Sequence, residues 1–320
     1  MTLLGEVREA AATVAARARH VRLVAGALER FADALADEAS PGAPSGDPAH
    51  RGFGDDSLTV AFVVTLDAIN FGSGWFPLLR KRAGRSGYFT VAGALEDHFR
   101  VHGAWSASAL RELGAPQVAR VLGQTGVDPA IDELMALFAR SLNELGAFLE
   151  RDYGGRFEAL VGSAGGSAET LVASLVRMPF FRDVSRYQDL RVPFYKRAQL
   201  TVADLFHAFE GRGPGRFVDL DRLTIFADNL VPHVLRRAGV LVYDEALAAR
   251  VDAGERLEAG SAEEVEIRAL GVHAAELMVD RIRDRRPAAS AYWLDWQLWH
   301  RGQAPEVKAH PRHRARSVYY

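Results

Sequence analysis

The feature that most restricts the fold of this chain is the spacing of its apolar residues, which repeats at helical intervals in one segment after another. A segment with that period buries one face and must pack it against other helices. Residues 57–69 are apolar enough to suit a strand as well, but their length and position favour a buried helix. The sequence therefore predicts an all-α, multi-helix globular fold. Helices are expected near residues 4–34 (with a break near Arg19–His20), 57–69, 129–153, 195–209, 220–226, 261–283 (opened by a capping box at Ser261) and 289–300.

The composition, 48% hydrophobic and 25% charged over 320 residues, is that of a globular protein with a large core. We predict a single domain over residues 1–320, with a helical N-terminal half (1–190) and a helical C-terminal half (191–320). Residues 40–56 are rich in Pro, Gly, Ser and Asp, which indicates a loop or flap in the first half.

Several classes of protein are excluded or disfavoured by what the sequence lacks. It has no cysteine, which rules out disulfides, thiolate catalysis and zinc–cysteine sites. Its ten histidines form no HExxH pattern, and there is no P-loop, dinucleotide fingerprint or GxSxG elbow, so neither a metal nor a cofactor is expected. A formal net charge of −2 provides no general attraction to nucleic acid. With no secretory signal and no membrane-spanning run, we expect a cytoplasmic monomer that binds neither nucleic acid nor membrane.

One stretch of the C-terminal half has the order of elements found in base-excision glycosylases. Lys196 lies in a predicted helix, a glycine hairpin follows at residues 211–215, and Asp228 begins a later helix. Cleavage of an N-glycosidic bond builds positive charge on the sugar, and a fixed carboxylate in a dry pocket stabilises that charge. Asp228 is the candidate for this role, as electrostatic stabiliser or as nucleophile. The alternative is a helix N-cap, which is compatible with the first role because a cap also fixes the direction of the carboxylate.

Lys196 is unusual because only three of the 39 basic residues are lysines. A lysine in an apolar helix can hold a substrate phosphate or orient Asp228 by its charge, and the alternative is a surface cation. Arg197 beside it points elsewhere on the helix and can pair with another anion. The glycine hairpin either binds phosphate through its N–H groups or is only a turn.

Polar and aromatic residues at two other places suit a planar heterocycle. Asn70, Phe71 and Ser73 end the apolar segment, where a ring can stack and an amide can read an edge; the alternative is a helix end with aromatic core packing. Asp295 lies among three tryptophans, with His300 at the end, and can accept hydrogen bonds from a base or an ammonium; the alternative is a solvated helix face.

Beyond these patterns, six collinear segments from about His50 to the C-terminus resemble the queuosine salvage protein family. These proteins are queuosine 5′-phosphate N-glycosidases with an all-α fold related to helix-hairpin-helix DNA glycosylases. The segments are residues 66–71 (LDAINF), 194–199 (FYKRAQ), 226–229 (FADN), 264–268 (EVEIR), 294–299 (LDWQLW) and 313–320 (HRARSVYY).

The resemblance implies hydrolysis of queuosine 5′-monophosphate to queuine and ribose 5-phosphate, so that queuine is salvaged for tRNA modification. Asp228 matches the family's catalytic aspartate, and Lys196 matches its phosphate-side lysine. The remaining implied contacts with the substrate come from His50 in the flap, from Phe226 and Asn229 beside the base, and from Asp295 at the queuine end. The family often has tyrosine where this chain has Asn229.

The expected substrate has its own chemical demands. Queuine is a 7-deazaguanine, so its departure needs hydrogen bonds or a proton at N3 or the carbonyl oxygen rather than at N7. Its cationic aminomethyl arm needs a carboxylate or aromatic partner, which Asp295 and its tryptophans supply. Two alternatives stay open at this point: a DNA glycosylase, which requires a basic face, and a non-catalytic binder of 7-deazapurines.

Overall fold

The structure is a computed structural model, and it describes residues 2–38 and 47–320. Most of these residues are helical, as the sequence predicted. The helices are α1 (Leu3–Arg17), α2 (Ala25–Asp37), α3 (Asp56–Ala68), α4 (Gly87–His102), α5 (Ala107–Glu112), α6 (Ala115–Val121), α7 (Pro129–Tyr153), α8 (Phe157–Gly162), α9 (Ala168–Leu175), α10 (Lys196–Ala208), α11 (Val231–Arg237), α12 (Glu245–Asp252), α13 (Ala262–Arg283), α14 (Ala291–Gly302) and α15 (Pro305–Lys308).

Short strands pair two by two and leave the helical class unchanged. The strands are β1 (Val21–Leu23), β2 (Val184–Tyr187), β3 (Leu190–Pro193), β4 (Leu241–Tyr243), β5 (Arg256–Leu257) and β6 (Arg314–Ala315). β1 pairs with β4 and β2 with β3, both antiparallel, while β5 and β6 are parallel.

The described residues fall into two compact units, each assembled from separated stretches of chain. The first unit comprises residues 2–38, 183–196 and 219–316, and the second comprises residues 47–182, 197–218 and 317–320. The predicted halves, by contrast, divide the chain linearly at residues 190/191. Among the described residues, no helix has the combination of length and apolar character that crossing a membrane requires.

The first unit is organised around α13, which is buried on almost every face and packs against α1, α2, α11 and α14. Ser261 caps α13 through a hydrogen bond from the backbone N–H of Glu264 to Oγ, as the sequence predicted. Glu266, in the second turn of the helix, accepts hydrogen bonds from the backbone N–H groups of Arg19, His20 and Val21. This explains why the predicted helix over residues 4–34 breaks near Arg19: the freed backbone is satisfied by a buried carboxylate.

The second unit is organised around α7, which packs against α3, α5, α6 and α8. Gly146 lets α7 approach α5 closely, since a Cβ there would lie 2.4 Å from the backbone oxygen of Ala107. α3 is buried along nearly its whole length, so the prediction of a buried helix for residues 57–69 is confirmed. Residues 40–46 of the predicted flap lie outside the described residues; its remainder contains a 3-10 turn over Pro48–His50.

Residues 220–226 differ from the predicted helical segment. Only Leu220–Arg222 forms a turn of 3-10 helix, and the chain then runs without regular structure to α11. The reason lies in side chains from elsewhere in the first unit. Asp295 accepts a hydrogen bond from the N–H of Phe226, and Arg268 donates one to the carbonyl of Ala227, so the backbone is satisfied without a helix.

Candidate active site

Asp228 lies in the irregular segment before α11, and its carboxyl group is held in a fixed direction. Oδ1 accepts hydrogen bonds from the backbone N–H groups of Leu230 (2.7 Å) and Val231 (3.3 Å). Oδ2 has no hydrogen-bond donor within the described ranges 2–38 and 47–320, and the residue is half-buried. The N-cap of α11 is Leu230, so the interpretation of Asp228 as the helix cap is wrong. Its carboxylate is instead anchored by the turn that precedes the helix, and one oxygen stays available.

Asp295, on α14, is only 5% exposed, so the alternative of a solvated helix face is wrong. Its Oδ1 accepts a 2.8 Å hydrogen bond from the backbone N–H of Phe226. Burial raises the pKa of Asp295 to about 7; the negative charge of Asp228 acts in the same direction, whereas the Phe226 hydrogen bond and the charge of Lys196 oppose it. Two carboxylates and one ammonium therefore share an electrostatic environment within the first unit.

Lys196 is the first residue of α10 and is 7% exposed, so it is not a surface cation. Within the part of the chain that the structure describes, its ammonium makes no ion pair with a carboxylate. A buried cation that forms no ion pair is costly, and an anionic ligand at this position would lower that cost.

Three further predicted residues belong to the same unit. The ring of Phe226 is nearly buried, with its centroid 6.4 Å from that of Tyr292, and Asn229 is 5% exposed. His300 donates from Nδ1 to the carbonyl of Trp296 at 2.9 Å and packs edge-on against that indole at 4.5 Å. Trp296 and Trp299 present nearly parallel rings on the same helix. Lys196, Phe226, Asp228, Asn229, Asp295 and His300 are thus all in the first unit.

The other predicted site residues, namely His50, Asn70, Phe71, Ser73 and Arg197, belong to the second unit. His50 Nε2 lies 3.0 Å from Oδ1 of Asp204, and its ring contacts that of His207. Burial alone would lower the pKa of His50, but the hydrogen bond and charge of Asp204, with the charge of Asp47, raise it above its ordinary value. Asp47 in turn accepts a 2.8 Å hydrogen bond from the hydroxyl of Tyr88.

Asn70 and Ser73 are both half-buried at the end of α3. Asn70 donates from Nδ2 to Oδ1 of Asp67 at 3.2 Å. The hydroxyl of Ser73 has no hydrogen-bond partner within the described residues. Both side chains retain polar groups that a ligand can use, and their assignment stays a prediction.

Phe71 and Arg197 are committed to the core of the second unit. The guanidinium of Arg197 donates to the backbone carbonyls of Asp67, Ala68, Phe180 and Val318. It also lies over the ring of Phe71 at 4.7 Å. Phe71 is 1% exposed and packs edge-on against Phe138, so the alternative of aromatic core packing describes it correctly. We do not carry either residue into the proposed site: their polar groups and ring faces are occupied by the protein itself.

Three charged residues of the first unit lie near the candidate site but were not predicted from the sequence. Arg268 and Asp183 form a fully buried ion pair next to the segments that carry Asp228 and Lys196. Burial lowers the pKa of Arg312, and the charge of Asp228 opposes this, which places a second cation in the field of that carboxylate. Arg268 lies in residues 264–268, so the resemblance pointed to its segment without giving it a role. Asp183 carried no signal, because its partner is 85 residues away.

These features define a helical protein with a fixed carboxylate, a second carboxylate of raised pKa and a buried cation. Residues 50–320 match the family model of the queuosine salvage protein. A protein of Sphaerobacter thermophilus named queuosine 5′-phosphate N-glycosylase/hydrolase is 39% identical over 264 residues, which cover 81% of this chain and 80% of that protein.

Two eukaryotic proteins with the same name show comparable similarity. The Dictyostelium discoideum protein is 33% identical, with 82% of this chain and 78% of its own length covered. The Bos taurus protein is 32% identical, with 83% of each chain covered. The chain belongs to the queuosine salvage protein family.

Proposed function

We propose that this protein is an N-glycosidase that hydrolyses queuosine 5′-monophosphate to queuine and ribose 5-phosphate. Its family membership and the name that its relatives share support this activity. The single structural observation that carries the chemistry is the anchored carboxyl group of Asp228, with Oδ1 bound to two backbone N–H groups and Oδ2 available.

In this reaction the glycosidic C–N bond breaks and its electron pair leaves with the base. Positive charge then develops at the anomeric carbon and the ring oxygen of the ribose. A carboxylate that is already oriented stabilises that charge without reorganising during the step. Water supplies the hydroxyl group that completes ribose 5-phosphate and the proton that the released queuine carries. Asp228 is the group that we place beneath the anomeric carbon, and its environment is compatible with electrostatic stabilisation or with nucleophilic attack.

Lys196 is the group that we assign to the 5′-phosphate. It is buried and makes no ion pair with a carboxylate of the described chain, so a phosphate dianion would supply its counter-charge. This contact anchors the ribose at its 5′ end and thereby contributes to the positioning of the anomeric carbon.

Asp295 is the group that we assign to the cationic aminomethyl arm of queuine. Its pKa of about 7 means that a nearby cation converts it readily from the neutral acid to the carboxylate. Trp296 and His300 lie on the same helix and offer aromatic surface to the arm. We assign the edge of the base to Phe226 and Asn229; the contacts of His50, Asn70 and Ser73 with substrate remain predictions of the sequence.

We further propose that the helical fold is related to that of helix-hairpin-helix DNA glycosylases, which the order of Lys196, the Gly213–Gly215 turn and Asp228 supports. The substrate is nonetheless a mononucleotide, in line with the name of the relatives and the balanced charge of the chain. We propose a cytoplasmic monomer that acts without a cofactor.

The test is to incubate the purified protein with queuosine 5′-monophosphate and to separate the products by chromatography. We expect free queuine and ribose 5-phosphate in equal amounts. A folded protein that retains the nucleotide without releasing queuine would instead be a 7-deazapurine binder. Filter binding with duplex DNA at low salt tests the remaining alternative: strong retention together with base release from DNA would replace our assignment by a DNA glycosylase.

A further inference from the structure

Arg268 is a buried charged residue of the first unit, in the second turn of α13. It is 1% exposed, and its main partner Asp183 is equally buried. A second buried carboxylate, that of Glu264 one turn earlier on the helix, lies 3.5 Å from Nη1 of Arg268. Removing a guanidinium and a carboxylate from water costs much of what their attraction returns, so such a pair is weak evidence of a purely stabilising role. Its contacts show what else the pair does.

The guanidinium of Arg268 contacts one carboxylate side chain and one backbone carbonyl, from two separate stretches of the chain. Nη1 and Nη2 donate to the two carboxylate oxygens of Asp183 at 3.1 and 2.5 Å. Nε donates to the carbonyl of Ala227 at 2.9 Å, and Ala227 immediately precedes Asp228. The Cζ atom of Arg268 also lies over the ring of Phe194, 3.9 Å from the ring centre. One planar fork therefore fixes the segment before Asp228 relative to Asp183.

Asp183 passes the constraint on to Lys196. Its backbone carbonyl accepts hydrogen bonds from the N–H groups of Phe194 (2.9 Å) and Tyr195 (3.3 Å). Its Oδ2 accepts one from the N–H of Lys196 at 3.3 Å. Tyr195 has a φ of 52°, in the left-handed region that a non-glycine residue adopts only when its surroundings enforce it. The backbone carbonyl of Asp183 thus holds the turn at Tyr195, and its carboxylate holds the N–H of Lys196 at the start of α10.

We propose that the Arg268–Asp183 pair is a positioning device that sets the distance between Lys196 and Asp228, and so between the bound 5′-phosphate and the anomeric carbon. The proposal rests on the function assigned above, in which Lys196 holds the phosphate. Neither residue of the pair touches the substrate; both act through the backbone of the residues that do.

The proposal makes a prediction that a merely structural role does not. If the pair only stabilises the fold, its loss reduces the amount of active protein and lowers kcat/KM equally for queuosine 5′-monophosphate and for dephosphorylated queuosine. If the pair positions Lys196, its loss lowers kcat/KM more for the phosphorylated substrate. The ratio of the two kcat/KM values is independent of how much protein is folded, so it separates the two roles.

The experiment measures this ratio for the wild type, Asp183→Asn and Arg268→Lys. We expect a fall of about tenfold in each variant, as for loss of one well-placed charged contact. Asp183→Asn keeps the size of the side chain and serves if Arg268→Lys does not fold. The matched control is Arg281→Lys: Arg281 lies on the same helix and binds both oxygens of Asp33 at 2.9 and 2.7 Å, on the surface. Its ratio should equal that of the wild type.

A double variant tests whether the pair acts through Lys196. In a Lys196→Met background the ratio is already low, and adding Asp183→Asn should not lower it further. The proposal is overturned if Asp183→Asn and Arg268→Lys keep the wild-type ratio, or if the double variant loses the product of the two single effects. Failure of the proposed function looks different, because the wild type itself would then release queuine from neither substrate.

Discussion

The backbone N–H of Phe226 donates a 2.8 Å hydrogen bond to Oδ1 of Asp295, two residues before the carboxylate that we place under the sugar. The next residue is held through its carbonyl by Arg268, and Asp228 itself is held by the N–H groups that begin α11. Three successive residues are thus fixed by partners from three different helices. A segment held in this way is preorganised, and preorganisation is what makes a carboxylate effective against developing positive charge.

The binding of substrate should depend on pH through Asp295. Only the ionised form attracts a cationic arm, and with a pKa of about 7 the ionised fraction rises about tenfold between pH 6 and pH 8. We therefore expect the Kd for queuosine 5′-monophosphate to fall by up to that factor over this range. Titrations of the wild type and Asp295→Asn measure it, with weaker and less pH-dependent binding expected in the variant. A wild-type Kd that is constant from pH 6 to pH 8 would contradict the assignment.

Asp295 should also make the free energy of unfolding of the free protein depend on pH. Substrate affinity is expected to rise with pH, whereas this contribution to stability is expected to fall. The folded pKa of Asp295 lies above the ordinary value of 3.8, so between about pH 4 and pH 7 the folded state binds a proton that the unfolded state has released. The contribution of Asp295 to the free energy of unfolding is therefore full at low pH and falls as pH rises, by at most about 1.4 kcal/mol per pH unit. Urea unfolding at several pH values should show Asp295→Asn gaining stability relative to the wild type up to about pH 7. A difference that is flat with pH would show that Asp295 is already ionised.

Loss of the Lys196 ammonium should weaken the binding of the 5′-phosphate and leave the contacts with the base unchanged. We expect Lys196→Met to raise KM for queuosine 5′-monophosphate by about tenfold or more, because a charged contact is lost, while dephosphorylated queuosine is processed at a similar rate. Steady-state kinetics with both substrates measure this. Lys81→Met removes an exposed lysine and is the matched control. If kcat/KM fell equally with the two substrates, Lys196 would not bind the 5′-phosphate.

Arg197, the neighbour of Lys196, should affect stability instead. Arg197→Met leaves buried backbone carbonyls without a donor, and we expect the free energy of unfolding to drop by roughly 3 kcal/mol or more. Chemical denaturation measures this, with the exposed Arg212→Met as control. If Arg197→Met had normal stability but bound substrate more weakly, Arg197 would be a substrate-binding residue and not a core residue.

The contrast between these two neighbours shows where prediction from sequence ends. Helical spacing was sufficient to predict α3, α7 and α13, because their apolar faces and caps are local signals. For two adjacent cations on one helix, however, the local sequence does not show which one binds core carbonyls. Nor does it show which one forms no ion pair with the carboxylates of the described residues. The irregular path after Arg222 was missed for the same reason, since the partners of its backbone lie on α13 and α14, far along the chain.

In the candidate site, too, residues with a local sequence signal were predicted, and residues defined by distant contacts were not. Asp228, Lys196 and Asp295 were identified from their segments, and all three belong to one unit that shares an electrostatic environment. The Asp183–Arg268 pair joins residues whose side chains meet only in the folded chain, so no spacing rule pointed to it.

The most direct test of the account is the rate of queuine release by Asp228→Asn. Asparagine still accepts the hydrogen bonds of Leu230 and Val231 through its side-chain oxygen, so the fold and the thermal unfolding midpoint should be preserved. What is lost is the negative charge, and we expect the rate to fall by about 10²-fold or more, as for removal of one preorganised electrostatic group. A folded Asp228→Asn protein that releases queuine at close to the wild-type rate would show that the charge of Asp228 does not assist cleavage of the glycosidic bond.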